Sequence, residues 1–451
     1  MLKVGFYEKE ITPPLGDDIP GYSGPRNSTS IHDPLRAKAI AVRTGDAVHE
    51  CVIIITVDLI AVPPQVYDFV MEKVEKWTLV PQKNIMIAAT HSHTAGPIRD
   101  DGEFRRLDKA WMEMTCQSAA DTAIMAYQRM EDASAKYAAK DVEGLSFCRD
   151  YYMKNGEIRT NPKWQDPNID RVVSPNDNSF PVLFFFDKDN KPMGALTNFT
   201  CHHDSKAGTE ISADYSGVLA DKMKDEFGRN FVNILLQGPC GNVNHCNPFR
   251  EKLKRDEPAY LSIGKALAVA EKELFDLAED FVIDGVYAEK RVVPVPKREI
   301  PLEVVEEHEW VLKNVPNDWY QMDINKPENQ MFKRTHARGI INLYNADKNL
   351  AAYVSAIRLG DLYIYAFPGE IYVQYGFWLK ENTPTKYVMT SGTAMKGLGG
   401  YVPTDDIYDS TSYAAVYGSC NIAPGGGQLM MNKAIEIANE IQDQVDKARN
   451  N

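Results

Sequence analysis

The alternation of strand-like and helix-like segments constrains the fold of this chain more than any other feature of its sequence. Short β-rich runs over residues 4–11, 37–42, 52–57 and 84–89 occur in the first hundred residues. A helix is predicted over residues 64–77, where apolar side chains recur at helical spacing behind two prolines. Such alternation is typical of an α/β layered domain, so the sequence predicts mixed β-sheets flanked by helices.

The same alternation continues towards the end of the chain. Further strands are predicted over residues 182–186, 193–199, 231–236, 281–295, 353–358, 362–367 and 387–390, and further helices over 107–130, 215–227, 258–277 and 428–448. The sequence contains no internal repeat and no long Gly/Ser linker, which favours one domain over residues 1–451 rather than a string of modules. The polar, proline-containing stretch over residues 298–349 is predicted to be an inserted helical cap.

Charge and cysteine usage exclude several classes of protein. The net charge of −13 repels phosphate backbones and anionic lipid surfaces, so neither nucleic acid nor stable membrane insertion is expected. An odd count of seven scattered cysteines indicates reduced thiols. The acidic N-terminal segment has no apolar signal-peptide core, which favours a cytoplasmic protein acting on a small molecule. The sequence leaves the oligomeric state open.

Histidines cluster at the predicted strand ends. Five of the nine histidines fall into three groups: His91 with His93, His202 with His203, and His245 alone. His91 and His93 are two residues apart and are expected on one side of their strand end, whereas His202 and His203 alternate faces, so only one of that pair is expected to join them. Two or more imidazoles on one side of a sheet edge indicate a possible metal site.

Other histidines and cysteines have simpler explanations. His32, His49, His308 and His336 are interpreted as ordinary surface or core histidines, and the HxH pair alone also occurs in unrelated hydrolases and by chance. Cys201 is expected to be a buried, inert thiol. Cys240 and Cys246 lack the spacing of a zinc knuckle.

Seven segments in order resemble the family built on the N-terminal catalytic domain of neutral, non-lysosomal ceramidases. They extend from about residue 3 to residue 420, and they are VGFYEKEITPPLG, IHDPLRAKAIAV, THSHTAGP, NFTCHHDS followed by ISADYSG, QGPCGNVNHCNP, FPGE and YVPTDDIYDSTSY. The resemblance implies a zinc-dependent amidohydrolase. By position, it implies His91, His202 and Glu370 as zinc ligands, with Tyr401 as a ligand or near-ligand.

The resemblance also implies residues that act on the scissile amide. His93, Tyr413 and Arg149 match groups that stabilise the developing oxyanion, although Arg159 lies close in sequence to Arg149 and competes for its assignment. His93 or Glu370 is expected to carry the proton to the leaving amine. The alternative for Tyr401 and Tyr413 is that they are core aromatic residues. The alternative for Glu370 is that it is a buried capping carboxylate.

Two departures from the ceramidase pattern affect the expected substrate. Asn244 stands where ceramidases carry a serine, and an amide cannot form an acyl-enzyme, although it can donate or accept a hydrogen bond. The sequence also ends soon after its last matching segment, without the C-terminal immunoglobulin-like domain of true ceramidases. We therefore expect a small or soluble N-acyl substrate. An ester or lactone hydrolase, a true ceramidase and a non-catalytic metal-binding homologue are the alternatives.

Three aspartates are assigned supporting roles. Asp58 is expected to support the site or the structure around it, or to cap a helix. Asp204 and Asp214 are expected to orient ligand imidazoles through their free N–H groups, as metal-bound histidines usually require.

Overall fold

The computed structural model describes residues 1–22, 26–100, 107–249, 257–315 and 330–450. Helices occupy α1 (Pro64–Thr78), α2 (Lys109–Gln128), α3 (Asp214–Phe227), α4 (Ala259–Leu277), α5 (Leu302–Asn314), α6 (Gln330–Asn345), α7 (Val373–Asn382) and α8 (Gly426–Asn450). Strands occupy β1 (Lys3–Glu10), β2 (Ser30–Ile31), β3 (Arg36–Arg43), β4 (Cys51–Val57), β5 (Ile85–Ala89), β6 (Glu131–Asp141), β7 (Phe147–Cys148), β8 (Asp150–Met153), β9 (Ile158–Thr160), β10 (Ile169–Val172), β11 (Ser179–Asp187), β12 (Pro192–Phe199), β13 (Glu210–Ile211), β14 (Val232–Gln237), β15 (Val243–Asn244), β16 (Glu279–Asp280), β17 (Val286–Pro296), β18 (Asn349–Leu359), β19 (Leu362–Ala366), β20 (Glu370–Ile371), β21 (Tyr387–Ser391) and β22 (Tyr401–Val402).

A large mixed sheet forms the centre of the molecule. Its strand order is β14-β12-β11-β6-β1-β3-β4-β5, with β16 paired to β6. The pairs β12/β14 and β4/β5 are parallel, while the pairs between them are antiparallel. The runs Cys51–Val57 and Ile85–Ala89 are buried along their whole length, as expected of strands covered on both faces.

A second, four-stranded sheet packs on the first. Its order is β17-β18-β19-β21, and its last pair is parallel. Ile53 and Ile55 of the large sheet belong to the same hydrophobic core as Ile357, Ile364 and Met389 of the small sheet. The two sheets therefore share one core.

Helices cover the outer faces of the two sheets. Along β11, Val182 and Phe184 belong to the core formed with α3 and α4. Leu183 and Phe185 belong to the core shared with the small sheet. This alternation shows that β11 is buried on both faces. Met430 and Ile437 of α8 cover the outside of the small sheet. The layers confirm the predicted mixed sheets with flanking helices.

The polar stretch after β17 forms helices α5 and α6. Their apolar side chains, including Val305, Ile340 and Leu343, make a small core of their own. Residues 316–329 of the predicted cap lie outside the described residues. Where the chain is described, no helix combines the length and hydrophobicity needed to cross a membrane.

The carboxyl ends of strands from both sheets meet at one edge. The Ala89 N–H donates to the Thr393 carbonyl, and the Gly392 N–H donates to the Gln237 carbonyl. The Asn198 amide donates to the Thr390 carbonyl at 3.0 Å. These bonds join β5, β12 and β14 to the end of β21 and the segment after it. The loops that leave β5 and β12 carry the clustered histidines.

Candidate metal centre

Three imidazoles converge at this edge. The Nε2 atoms of His91 and His202 are 3.0 Å apart, and the Nε2 atom of His93 lies 3.4 Å from the first and 3.1 Å from the second. All three side chains are buried. The structure thus brings His202 to two histidines that lie more than a hundred residues earlier in the sequence.

The backbone at His91 is strained in order to aim its side chain. His91 has φ of 71°, a left-handed conformation that is uncommon for a residue with a side chain. Its N–H donates to the Leu59 carbonyl, and its Nδ1 lies 2.6 Å from the Ile60 carbonyl oxygen. Strain of this kind persists where the surroundings hold it, and it commonly marks a functional site. The HxH geometry therefore depends on a turn rather than on a continued strand.

The pair His202 and His203 separates as the alternation predicts. The His202 Nδ1 lies 3.1 Å from the Cys240 carbonyl oxygen, and its ring faces the cluster. The His203 ring instead stacks on Tyr215 with 3.9 Å between ring centroids. Only His202 joins the other two imidazoles.

The backbone contacts determine which nitrogens face one another. A carbonyl oxygen only accepts hydrogen bonds, so the Nδ1 atoms of His91 and His202 carry the protons that are donated to Ile60 and Cys240. In a neutral imidazole the other nitrogen is then an acceptor. When both rings are neutral, two Nε2 lone pairs therefore face each other at 3.0 Å. Burial lowers the pKa of His91, but the neighbouring Glu370 outweighs burial and raises that pKa, so a proton or a metal ion between the rings resolves this arrangement.

Glu370 completes the cluster. Its Oε2 lies 3.5 Å from the His91 Nε2 and 3.6 Å from the His202 Nε2, and it is buried without a hydrogen-bond partner. Burial alone would raise the pKa of Glu370, but the neighbouring His91, His202 and Arg149 outweigh burial and hold that pKa well below its usual value. The buried, ionised carboxylate is therefore a further acceptor aimed at the same point.

A loop glycine permits this approach of Glu370. A Cβ atom on Gly241 would lie 2.4 Å from the Glu370 carbonyl oxygen, closer than any side chain tolerates. The Gly241 N–H donates to the Ile371 carbonyl. Glycine is therefore required where this loop passes β20.

The donor set fits a zinc ion. Bonds of about 2.0–2.1 Å to tetrahedral ligands place the ligand atoms roughly 3.3 Å apart, close to the observed spacings of 3.0–3.6 Å. Ligand atoms of His91, His202 and Cys240 also lie within 4.8 Å of one another, which makes the Cys240 thiol an alternative ligand. Burial strongly raises the pKa of that thiol, and Glu370 is already ionised, so we favour the carboxylate. Cys240 lacks a zinc-knuckle spacing, so its position near two imidazoles has no local sequence signal.

His93 is the imidazole least fixed by the protein. Its Nδ1 has no hydrogen-bond partner, and its ring packs edge-on against Tyr22 at 5.2 Å between centroids. Burial, reinforced by the neighbouring His91, lowers the pKa of His93 to about 3. His93 is thus neutral at physiological pH and able to accept a proton.

Arg149 lies beside the cluster, while its rival Arg159 does not. The Arg149 side chain is buried, donates to the Gly241 carbonyl at 2.7 Å and lies over the Tyr401 ring at 5.2 Å. Arg159 has a side chain that is 48% exposed and that pairs with Glu157. Of the two arginines, only Arg149 is buried beside the cluster.

The two candidate tyrosines are adjacent. Tyr401 pairs with Glu370 in the parallel bridge of β20 and β22, and its ring packs edge-on against Tyr413 at 5.7 Å. Tyr413 is 47% exposed, and its N–H donates to the Thr160 hydroxyl. One tyrosine therefore lies next to the glutamate, and the other lies at the surface of the site.

Asn244 anchors its own loop. Its Oδ1 accepts from the Cys246 N–H at 2.9 Å, and its Nδ2 donates to Asn161 Oδ1 at 3.1 Å. The side chain is buried. Its polar atoms are therefore largely engaged within the protein.

The expectations for the supporting aspartates need correction. Asp214 accepts from the Ser205 hydroxyl and from the backbone N–H groups of Lys206 and Tyr215, so it fixes the start of α3 rather than an imidazole. Asp204 contacts His245 at 3.1 Å and not the clustered histidines. Backbone carbonyls already occupy the Nδ1 positions of His91 and His202, which sequence patterns do not reveal.

Asp58 does not cap a helix. Its carboxylate accepts from the Arg36 N–H at 2.8 Å and from the Thr90 hydroxyl at 3.1 Å. Helix α1 begins later, behind Pro63. Asp58 instead ties the residue before His91 to the neighbouring strand end, in agreement with a supporting role.

These features define an α/β layered protein with a buried imidazole–carboxylate cluster at the carboxyl ends of its strands. The sequence profile described as neutral/alkaline non-lysosomal ceramidase, N-terminal, matches residues 2–244, and the chain belongs to this family. A search of curated proteins finds no significant match.

Solved structures share the fold. The chain is similar to the crystal structure of neutral ceramidase from Pseudomonas aeruginosa, with a TM-score of 0.74 and 17% sequence identity over 98% of this chain and 75% of that one. A ceramidase complexed with C2 gives a TM-score of 0.73 at the same identity and coverage. At this level of identity, the similarity establishes the fold.

Proposed function

We propose that the protein is a zinc-dependent hydrolase that cleaves the amide bond of a small or soluble N-acyl substrate. The observation that carries the proposal is the convergence of the Nε2 atoms of His91 and His202 and the Oε2 atom of Glu370, which lie 3.0–3.6 Å apart around one buried point. Membership of the ceramidase family supports the amide as the bond cleaved.

The ligands are His91, His202 and Glu370, with Tyr401 beside the glutamate. Bound there, a zinc ion supplies a Lewis acid that activates water and polarises an amide carbonyl. The backbone carbonyls of Ile60 and Cys240 hold the two imidazoles in the tautomer that leaves Nε2 free for the metal.

His93 transfers the proton. It begins neutral, because burial and the neighbouring His91 lower its pKa to about 3. Its Nε2 accepts a proton as water attacks and delivers the proton to the leaving nitrogen, without which the amine is a poor leaving group.

Arg149 and Tyr413 stabilise the developing negative charge. Arg149 is a buried cation fixed by Gly241 and Tyr401, so it needs no reorganisation during the reaction. Tyr413 presents its phenol from the surface of the site. Asn244 holds the loop on which Gly241 lies, and it has no nucleophilic oxygen with which to form an acyl-enzyme.

We further propose that residues 1–451 act as one catalytic unit, with α5 and α6 as its cap. The shared core of the two sheets supports this view, because His91 and His202 follow strands of the large sheet while Glu370 follows a strand of the small one. Neither sheet alone assembles the cluster.

A substrate panel with metal control tests the function. Full-length protein is stripped of metal, reloaded with zinc and assayed on N-acyl amino acids, short N-acyl amines, short esters and a fluorescent long-chain ceramide. We expect turnover of a short N-acyl amide that is lost with the metal and restored by zinc. Failure of the folded, zinc-loaded protein on every amide contradicts the proposal, and preference for the ester or for ceramide contradicts the substrate class.

A further inference from the structure

A second constellation lies outside the metal cluster. Cys246 Sγ lies 3.6 Å from His245 Nε2, and His245 Nδ1 lies 3.1 Å from Asp204 Oδ1. Thiol, imidazole and carboxylate are thus connected in one line, with each ring nitrogen engaged by a different partner. This is the order of groups that activates a nucleophile: the reacting atom, an imidazole and a group that orients the imidazole.

The imidazole of this constellation is charged. Burial lowers the pKa of His245, but the hydrogen bond to Asp204 and the proximity of Cys246 outweigh burial and raise that pKa to about 10. The charged ring lies 3.6 Å from the sulfur, so an anionic reagent that approaches the sulfur meets a positive charge.

Cys246 is also the accessible thiol of the chain. All seven cysteines lie within the described residues, and Cys246 is exposed while the other six are buried. Burial raises the pKa of Cys51, Cys148 and Cys201 among these six. Their thiols are therefore inert at neutral pH, so reactivity concentrates at one position.

The loop holds the sulfur in place. The Cys246 N–H donates to the buried Asn244 side chain, and Phe249, three residues later, packs against Tyr151 at 5.5 Å between centroids. The Tyr22 hydroxyl donates to the Asp204 carbonyl at 3.5 Å. The Tyr22 ring also packs against His93, so Tyr22 links Asp204 to the metal cluster. The thiol is therefore presented from a fixed loop beside the metal cluster.

We propose that Cys246, His245 and Asp204 form a second reactive site, at which the Cys246 sulfur covalently captures small carbon electrophiles. With an alkyl halide, the S–C bond forms as the carbon–halogen bond breaks, and halide leaves with the bonding electrons. The thiol proton goes to solvent, because His245 remains protonated and charged. The His245 cation favours anionic electrophiles over neutral ones of similar reactivity.

Alkylation kinetics test the proposal on the full-length chain. The protein is treated at pH 7 with iodoacetamide or iodoacetate, and modified residues are located by peptide mass spectrometry. We expect one fast modification, at Cys246, at least about tenfold faster than that of N-acetylcysteine. His245→Gln is expected to slow it at least about tenfold, and more strongly with iodoacetate than with iodoacetamide.

Control variants separate activation from simple exposure. Cys246→Ser is expected to abolish the fast modification, and His49→Gln, the same change at an exposed histidine, is expected to leave the rate unchanged. Glu370→Gln is also expected to leave it unchanged, because the reaction does not use the metal site. Alkylation of Cys246 no faster than that of N-acetylcysteine, or an equal rate in folded His245→Gln protein, overturns the proposal, whatever the outcome of the amidase assay.

Discussion

The histidines of the metal cluster and His245 differ in what holds their Nδ1 atoms. His91 and His202 donate to neutral backbone carbonyls, which leaves each Nε2 as an acceptor facing the cluster. His245 faces the Asp204 carboxylate, which favours a proton on both nitrogens. The same residue type therefore presents nitrogen acceptors in one region and a fixed cation in the other, and the partner of Nδ1 makes the difference.

Two buried glutamates differ in the charges that surround them. Glu370 and Glu271 are both deeply buried, but Glu370 faces two imidazoles and Arg149, whereas Glu271 accepts hydrogen bonds from the neutral Asn233 amide. The pKa of Glu370 is held low, while burial raises that of Glu271 to about 8. Burial alone thus gives a neutral acid, and an ionised carboxylate requires neighbouring cations.

The largest expected effect follows from Glu370→Gln. The change removes the negative charge while keeping the shape of the side chain, so zinc affinity is expected to fall by more than about 100-fold. Calorimetric titration of metal-free protein measures it. Glu271→Gln makes the same change at a buried glutamate outside the cluster and is expected to leave the zinc affinity unchanged. Equal losses of zinc affinity in both variants contradict the proposal that Glu370 is a zinc ligand.

A smaller effect is expected from Arg149→Lys. Lysine keeps the charge but cannot donate to Gly241 while stacking on Tyr401, so the cation loses its fixed position. The value of kcat/KM for the best amide substrate is expected to fall by about 10²–10³, as for loss of one oxyanion donor. Arg159→Lys is the matched control, and a comparable fall in that variant contradicts the choice between the two arginines.

Asp150→Asn is expected to have a moderate effect. Asp150 is buried next to Arg149 and accepts a hydrogen bond from the Tyr372 hydroxyl at 2.8 Å. It also accepts from the Thr160 hydroxyl. The same Thr160 hydroxyl accepts from the Tyr413 N–H. Misplacing Arg149 and Tyr413 is expected to lower kcat roughly 10-fold to 100-fold without changing zinc content. Asp170→Asn makes the same change at an exposed position and is the control. A loss of zinc in Asp150→Asn would show instead that the hydrogen bonds of Asp150 support the metal site.

The effect at Glu271 concerns stability rather than activity. Its folded-state pKa of about 8 exceeds the ordinary value of 4.5, so the folded protein holds a proton that the unfolded chain has lost. The stability this contributes is complete below about pH 4.5 and is lost as pH rises towards 8, by at most about 1.4 kcal/mol per pH unit. The melting temperature of Glu271→Gln is therefore expected to rise relative to wild type between pH 5 and pH 9. Glu273→Gln changes an exposed neighbour, and its melting temperature relative to wild type is expected to stay constant over this pH range. A constant difference in melting temperature for both variants contradicts the raised pKa of Glu271.

Much of the fold and part of the site are predictable from local sequence. Strand and helix patterns are local properties, so the elements around His91, His202 and α8 agree with expectation to within a few residues. The alternation of His202 and His203 follows from strand geometry in the same way.

The remaining features depend on contacts between distant loops. The carbonyls of Ile60 and Cys240 orient the imidazoles of His91 and His202, and a backbone carbonyl has no sequence signature. Asp204 contacts His245 across 41 residues, which made the expected pairing with the ligand histidines wrong. The left-handed φ of His91 also departs from strand continuation, because the turn is held by hydrogen bonds to Leu59 and Ile60.

Metal content tests the central claim most directly. Wild type, His202→Gln and His203→Gln are purified, reloaded with zinc, desalted and analysed by elemental mass spectrometry. The two variants carry the same change at adjacent buried positions, of which only His202 faces the cluster. We expect about one zinc per chain in wild type and His203→Gln and almost none in His202→Gln. Wild-type protein without zinc, or folded His202→Gln protein with the full amount, would contradict the account.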